Sequence, residues 1–518
     1  MSERNRFCSS SINSSEKFHL LHQISPLPQG QLVVCILLLF LLIFSTVFDC
    51  FKPAQLRFYH KLCLSFSLRQ NLPKIFCTKL TARTIGCLFG VRTVAISWIL
   101  VCHSWMVRFD LMIAKNISDP HLDMNLKKSL LFQPLLNTFL PVHAFFVISG
   151  CVLAYTWFPK VHRQPDSVRS LKYWFLFYRH RLLRLWPPVI AVVIMWLLDF
   201  RLSLFRTSWP IFDPNCDCNK QWWMVLFFLN ALLPNNCALW LWYLGADAVC
   251  YLFSPIFLVS LHFSQTFGFF LLTVASAVSI LTRSSLLGSC KRPVMLWNTG
   301  DNMMDPCAVV GVAVYTKFHS FLFGLVLGYF LTTKKRVSRV FCHFLLALAF
   351  LGMAWTVFGR WPLLNGYKLP VYESFLDNWT EVLFPVCVAW LIFACHTGYA
   401  NGLNRLLSTR PFIAMGNLTY AFYIVQVLVI GEFFLWLPLP YTLSNAWSLI
   451  GSFLGQYLFS FIAAIGFTCV VELPSVSLEK YFLLPARSQP TVITSERDAP
   501  REQQQLTLTG DNKPYGTF

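Results

Sequence analysis

Residues 91–113 read VRTVAISWILVCHSWMVRFDLMI, an apolar run long enough to cross a hydrocarbon core of about 30 Å as one helix, which takes about 20 residues. Comparable runs recur at about 32–48, 131–157, 185–205, 240–262, 266–282, 312–332, 340–358, 380–397, 412–437 and 446–470. Their repetition excludes a single anchored soluble domain. It predicts an all-α, polytopic integral membrane protein of about eleven spanning helices, one amino-terminal anchor followed by a ten-helix core. Composition points the same way: the 518 residues are 56% hydrophobic and only 13% charged, against about a quarter in soluble globular chains. The formal net charge of +19 does not indicate nucleic acid, because the basic residues sit in short segments between apolar runs rather than on one compact face.

The distribution of those bases fixes an expected orientation. Between 52 and 92 stand Lys52, Arg57, Lys61, Arg69, Lys74, Lys79, Arg83 and Arg92, with no acidic residue among them. By the positive-inside rule this stretch is cytosolic, so the amino terminus is lumenal or extracellular. Parity then predicts basic cytosolic loops further on. The chain supplies Lys160, Arg163, Arg169, Lys172, Arg179, Arg181 and Arg184, then Lys334, Lys335, Arg336 and Arg339, then Arg405 and Arg410. The expected organisation is a polar segment at 1–30, an uncleaved anchor at 31–49, a basic linker at 50–90, a membrane core at 91–471 and a polar cytosolic tail at 472–518. A multi-pass protein of this kind resides in the endoplasmic reticulum or the plasma membrane.

Most of the eighteen cysteines lie inside apolar segments, where they serve as small buried side chains, and no metal-ligand spacing emerges. Cys216, Cys218, Cys237, Cys290 and Cys307 fall in predicted lumenal loops and would form disulfides there, with one left over. Glycosylation triplets begin at Asn13, Asn116 and Asn378 on the same side, whereas the triplet at Asn417 falls within a span and should be silent. The run 222–233 is too short to cross and reads as an interfacial or re-entrant piece.

Ionisable groups within spans are costly, so they are functional candidates by default. Arg92 and His103 are eleven residues apart, about 16 Å along a helix, which brings His103 near the midplane while Arg92 stays at the cytosolic edge. Arg92 is also explained as a topology charge, and His103 as a packing histidine. Asp247, in WLWYLGADAVCYLFSP, enters from the other side to nearly the depth of His103, where a carboxylate would orient the imidazole; a carboxylate bonded to neighbouring hydroxyls explains it equally. In YRHRLLRLWPP, Arg181 and Arg184 share a helix face and, with Arg179 and Lys172, would grip a phosphate ligand or simply mark the cytosolic side. His143, Ser149, Lys317, His319, Glu381, Gln426 and Glu432, taken singly, read as helix-to-helix hydrogen-bonding groups.

Taken in order, GVRTVAISWILVCHSW, FFVISG, YRHRLLRLWP, CALWLWYLGADAVCYLFSP, FLFGLVLGY, MGNLTYAFYIVQ and ELPSVSLEKYF resemble the acyltransferase-3 family, in its animal nose-resistant-to-fluoxetine-like branch. The resemblance covers about residues 30–482. It implies transfer of an acyl group from cytosolic acyl-CoA, a co-substrate rather than a resident cofactor, to a hydroxyl-bearing and lipid-like acceptor among the membrane lipids. It makes Arg92 and His103 the central pair, His103 the general base, Asp247 a retained acid, and Arg181 and Arg184 contributors to the donor site. Lys317 stands where the family more often has Arg and, like Arg92, would steady an oxyanion; Ser149 would support either role. His143 replaces the family's usual Asp, and Gln426 its common His. Those departures favour a second expectation, a non-catalytic member that carries lipids or hydrophobic compounds.

Overall fold

A computed structural model of the chain describes residues 29–51, 58–81, 84–114, 128–197, 218–233, 237–290, 310–333, 337–436 and 446–477. Among them are eleven helices of 20 to 28 residues and no strand: α1 (Gln29–Cys50), α2 (Cys87–Ala114), α3 (Leu140–Arg163), α4 (Leu171–Leu197), α5 (Trp242–Phe263), α6 (Gln265–Ser289), α7 (Val314–Thr333), α8 (Arg339–Phe358), α9 (Pro370–His396), α10 (Arg410–Trp436) and α11 (Ala446–Phe467). Nine candidate spans are long and apolar enough to cross a membrane among the described residues. The chain is therefore an all-α multi-pass membrane protein.

Several boundaries differ from those read off hydropathy, for identifiable reasons. The expected span at 131–157 is split: a 3₁₀ turn at Leu130–Phe132 and a short helix at Gln133–Leu136 precede α3. Pro134 and Pro141 each occupy a first helical turn, where a missing N–H costs nothing, and thereby set two starts. Asn137 seals the break by donating to Gln133 O (3.0 Å) and Val357 O (2.8 Å). Helix α4 begins fourteen residues before the expected 185, because its charged first half stays helical; Lys172 and Arg179 belong to the same helix as Arg181 and Arg184, rather than to a loop before the span. Helix α9 starts at Pro370, with Glu373 in its first turn favoured by the helix dipole. The Asn378 triplet thus lies inside a helix, with Thr380 buried and bonded to Leu376 O, which removes it as a glycosylation acceptor. Asn417 is occupied too, donating to Ile75 O and Cys77 O. Asn13 and Asn116, Cys216 and Cys307, Lys334 to Arg336 and the tail beyond 477 lie outside the described residues. Cys237 and Cys290 are each disulfide-bonded.

Helices α3 and α7 form the centre. The most apolar stretch of each is 78% buried, against 17% for α8 at the rim, whose Val340, Phe341, Phe344 and Leu351 face outward as a lipid-facing helix requires. Close approach of α3 and α7 depends on glycine: a Cβ on Gly150 would collide with Phe321 O, one on Gly324 with Val147 O, and one on Gly328 with Cys151 O. Small residues four apart are the usual device for bringing membrane helices into backbone contact. The linker is also packed. Its helices Phe58–Leu64 and Leu68–Ile75 lie against α1 and the core, with Ile75 buried beside Leu418 of α10 and Cys469 and Leu473 beyond α11.

Candidate functional site

The polar side chains inside this bundle fall into three groups. The first lies toward the end that carries the basic loops. Arg181 of α4 reaches inward to the carboxylate of Asp247 on α5, and Ser149 of α3 donates to the other carboxylate oxygen at 2.5 Å. Arg181 also approaches Ser149 Oγ (3.3 Å) and lies 4.8 Å over the ring of Tyr251. Asp247 is 6% exposed, so its charge is held by a hydroxyl and a guanidinium in an apolar surround, the arrangement a buried carboxylate needs. Arg92, near the start of α2 and buried, is close enough to Arg184 and Arg181 to feel their charges, with Tyr243 alongside. Helix α4, which carries Arg184, packs against a π-helical turn at Thr468–Glu472, whose buried Glu472 is close enough to feel the charge of Arg184. Arg92, Arg181 and Arg184 thus lie close enough to sense one another's charge, with Asp247 paired to Arg181 and Glu472 near Arg184.

The second group centres on His103. It shares a face of α2 with Arg92, Ile96 and Ile99, and the two isoleucines are buried in the core formed with α4, α5 and α10. Its Nδ1 is buried and takes no hydrogen bond among the described residues, and no ionised group among them acts on the ring. The expected orientation of His103 by Asp247 is therefore not formed. Asp247 does lie within the bundle, but it points toward α3 and α4, where both of its oxygens are used. Gln426 of α10, the helix packed along α2, is fully buried with neither end of its amide bonded among the described residues. A buried amide left in this state is costly and rare, which marks Gln426 as a candidate functional group on the helix packed along α2.

The third group lies at the opposite end of the bundle. Glu381 Oε2 accepts from Lys317 Nζ, from Arg283 Nε (3.0 Å) and from His143 Nε2 (3.1 Å). His143 Nδ1 meets Ser320 Oγ at 2.7 Å, so with Nε2–H donated to the carboxylate the serine hydroxyl donates to Nδ1. His319 bridges Ser279 Oγ (3.2 Å) and the Glu381 carbonyl (3.1 Å). Lys317 further lies 4.9 Å over the Phe139 ring. A small cavity of about 40 Å³ adjoins this cluster, between Asn137, Phe139, Arg283, Arg360 and Glu381. The structure thus places Lys317 in a separate ionic lock, apart from Arg92, and supplies a histidine–carboxylate pair at His143 instead of His103. Arg283, which holds this lock to the Asp377 and Asn378 carbonyls, escaped the sequence reading because it looks like a charge ending an apolar run. The available signal was that a base at that end of the span runs against the positive-inside rule.

Comparison with known proteins adds two relatives and a family. A family profile described as an acyltransferase domain, of the acyltransferase-3 type, matches residues 85–473. The chain is 25% identical over 478 residues to Nose resistant to fluoxetine protein 6 of Caenorhabditis elegans, covering 84% of this chain and 57% of that protein. It is also 25% identical over 407 residues to Regulator of hypoxia-inducible factor 1 of the same organism, covering 74% of this chain and 78% of that one. The chain thus spans little more than half the length of the first relative. No solved structure matches it.

Proposed function

Because the chain belongs to the acyltransferase-3 family, we propose that it is a membrane-bound O-acyltransferase that moves an acyl group from acyl-CoA to a hydroxyl-bearing, lipid-like acceptor, with His103 as general base. The observation that carries the reading is a spacing. The guanidinium cluster of Arg92, Arg181 and Arg184 lies at one end of the α2 face, and His103 lies on that same face about 16 Å further along. The pantetheine arm of coenzyme A is about as long as four fully extended residues, on the order of 14 Å. Phosphates gripped at the arginines would therefore deliver the thioester to the level of the imidazole.

The chemistry then balances without a resident cofactor. His103 takes the proton of the acceptor hydroxyl as its oxygen attacks the thioester carbonyl; the carbon–sulfur bond breaks, and the imidazolium returns the proton to the departing thiolate. An imidazole with an unbonded buried nitrogen is available for this role. The amide of Gln426 offers an N–H to the developing oxyanion, the part expected from sequence of Arg92 or Lys317. Arg92 acts with Arg181 and Arg184 on the donor, and Asp247 and Ser149 position Arg181. Parity of the basic loops puts this donor end in the cytosol and the amino terminus in the lumen or outside the cell, whether in the endoplasmic reticulum or the plasma membrane.

A second reading, a non-catalytic carrier of lipids or hydrophobic compounds, is favoured by the replacements at His143 and Gln426. One experiment separates them: labelled acyl-CoA is incubated with purified protein and with His103→Ala in membrane-lipid nanodiscs. Acyl transfer or thioester hydrolysis by the wild type alone supports the enzyme. No turnover by either protein favours the carrier, and equal turnover by both removes His103 as the base.

A further inference from the structure

The basic cluster at the donor end adjoins a part of the chain outside the matched family region. The linker helix Leu68–Ile75 is fastened by polar contacts on two sides. Toward α1, Asp49 accepts from Ser67 Oγ (3.1 Å) and Gln70 Nε2 (2.8 Å), and Thr46 Oγ1 accepts from Leu68 N (3.1 Å). Toward the core, Asn71 is fully buried and donates to Ser65 O (2.8 Å) and, more weakly, to Cys469 O (3.4 Å). Cys469 belongs to the π-helical turn Thr468–Glu472, which packs against α4, the helix that carries Arg184. A π turn leaves a backbone carbonyl displaced from the regular ladder, and such turns concentrate at functional sites. Here a side chain from the linker reaches one of its carbonyls.

The remaining end of the Asn71 amide fixes a base. Asn71 Oδ1 accepts from Lys74 Nζ at 3.2 Å, and the ammonium lies near enough to act on Cys469. Lys74 is half-buried, whereas Arg69 and Lys79 of the same linker are exposed. The linker helix that carries Lys74 and helix α4 that carries Arg184 therefore both pack against the same π turn. An ammonium held in advance against a buried amide loses less freedom on meeting a ligand than one that waves in solvent.

We propose that Lys74 is a phosphate-binding residue of the donor site, brought there by the linker and held by Asn71. The proposal rests on the acyl-CoA reading above. Its ligand class is the set of phosphates of a coenzyme A thioester, a multiply charged anion that needs more than one cation to hold it. The linker and α1 are then structural members of the donor pocket, and Asn71 is a positioning residue.

The test is equilibrium binding of coenzyme A to the full chain purified in neutral detergent, with size-exclusion elution as the check on folding. Lys74→Gln should raise Kd about tenfold, the loss of one charge-assisted hydrogen bond, while Lys74→Arg keeps most of the affinity and Lys79→Gln binds as wild type. The wild type should lose affinity with added salt more steeply than Lys74→Gln. If Lys74→Gln binds coenzyme A normally while Arg184→Gln does not, the proposal fails and the donor reading stands. If Arg184→Gln also binds normally, or the wild type shows no binding, the donor reading itself fails. Should Lys74→Gln lose binding only to phosphatidylserine vesicles, the lysine serves the lipid surface and the proposal falls.

Discussion

Replacing Gln426 with Leu should make this protein more stable and less active. The amide of Gln426 is wholly enclosed, and neither its oxygen nor its nitrogen meets a partner among the described residues, although its neighbours Ile424 and Val425 belong to a tightly packed core. Leaving an amide in that condition costs about 1–3 kcal/mol judged from substitutions in folded proteins. Leucine has nearly the same volume and helix preference and no polar atoms, so Gln426→Leu should recover most of that cost. Thermal unfolding in detergent, followed by tryptophan fluorescence, would read a gain of about 1–2 kcal/mol, and acyl transfer under the same conditions would fall at least tenfold. Such a trade is expected where a polar group is kept for a ligand rather than for the fold. A variant that melts below the wild type would refute the reasoning, since it would show that the amide is bonded in the native protein.

The ion pairs give further tests by the same assay. Asp247→Ala leaves Arg181 enclosed without its carboxylate and should cost about 3–5 kcal/mol; an Arg181→Met, Asp247→Leu double variant should recover much of it. Glu381→Gln removes the anion shared by Lys317, Arg283 and His143 and should destabilise comparably, with Lys317→Met in the same chain restoring part of the loss, readable as a double-mutant cycle. Gly324→Leu drives a side chain into Val147 O of α3 and should abolish the monodisperse elution peak, whereas Gly431→Ala, with open space around its Cβ, should leave it unchanged.

How much of this was legible in the sequence depends on which coordinate is asked about. Depth was legible. Hydropathy located the eleven long helices, and counting residues put Arg92 at one end of α2 and His103 well inside it. Bearing was not. Asp247 and His103 were matched by depth alone, but a helix turns about 100° per residue, and the side on which Asp247 emerges faces Ser149 and Arg181. Helix length was misread at α4 for a related reason: Lys172 to Arg184 lower the hydropathy without breaking the helix, so a rod that projects past the apolar slab reads as a loop. The break at Asn137 was signalled by Pro134 and Pro141, which an average over a window hides. Arg283 ends an apolar run, so nothing in its local sequence distinguishes it from an ordinary terminal charge, although it sits 3.0 Å from Glu381. The linker gave only its charge; that Asn71 is buried against Cys469 follows from a tertiary contact spanning most of the chain.

The claim that the donor runs along α2 from the arginines to His103 can be examined with an acyl-CoA analogue carrying a diazirine beside the thioester carbonyl. After irradiation and proteolysis, the account predicts the adduct on α2 around His103 or on α10 around Gln426. An adduct on α7 or α9 around Lys317 and Glu381 would contradict it.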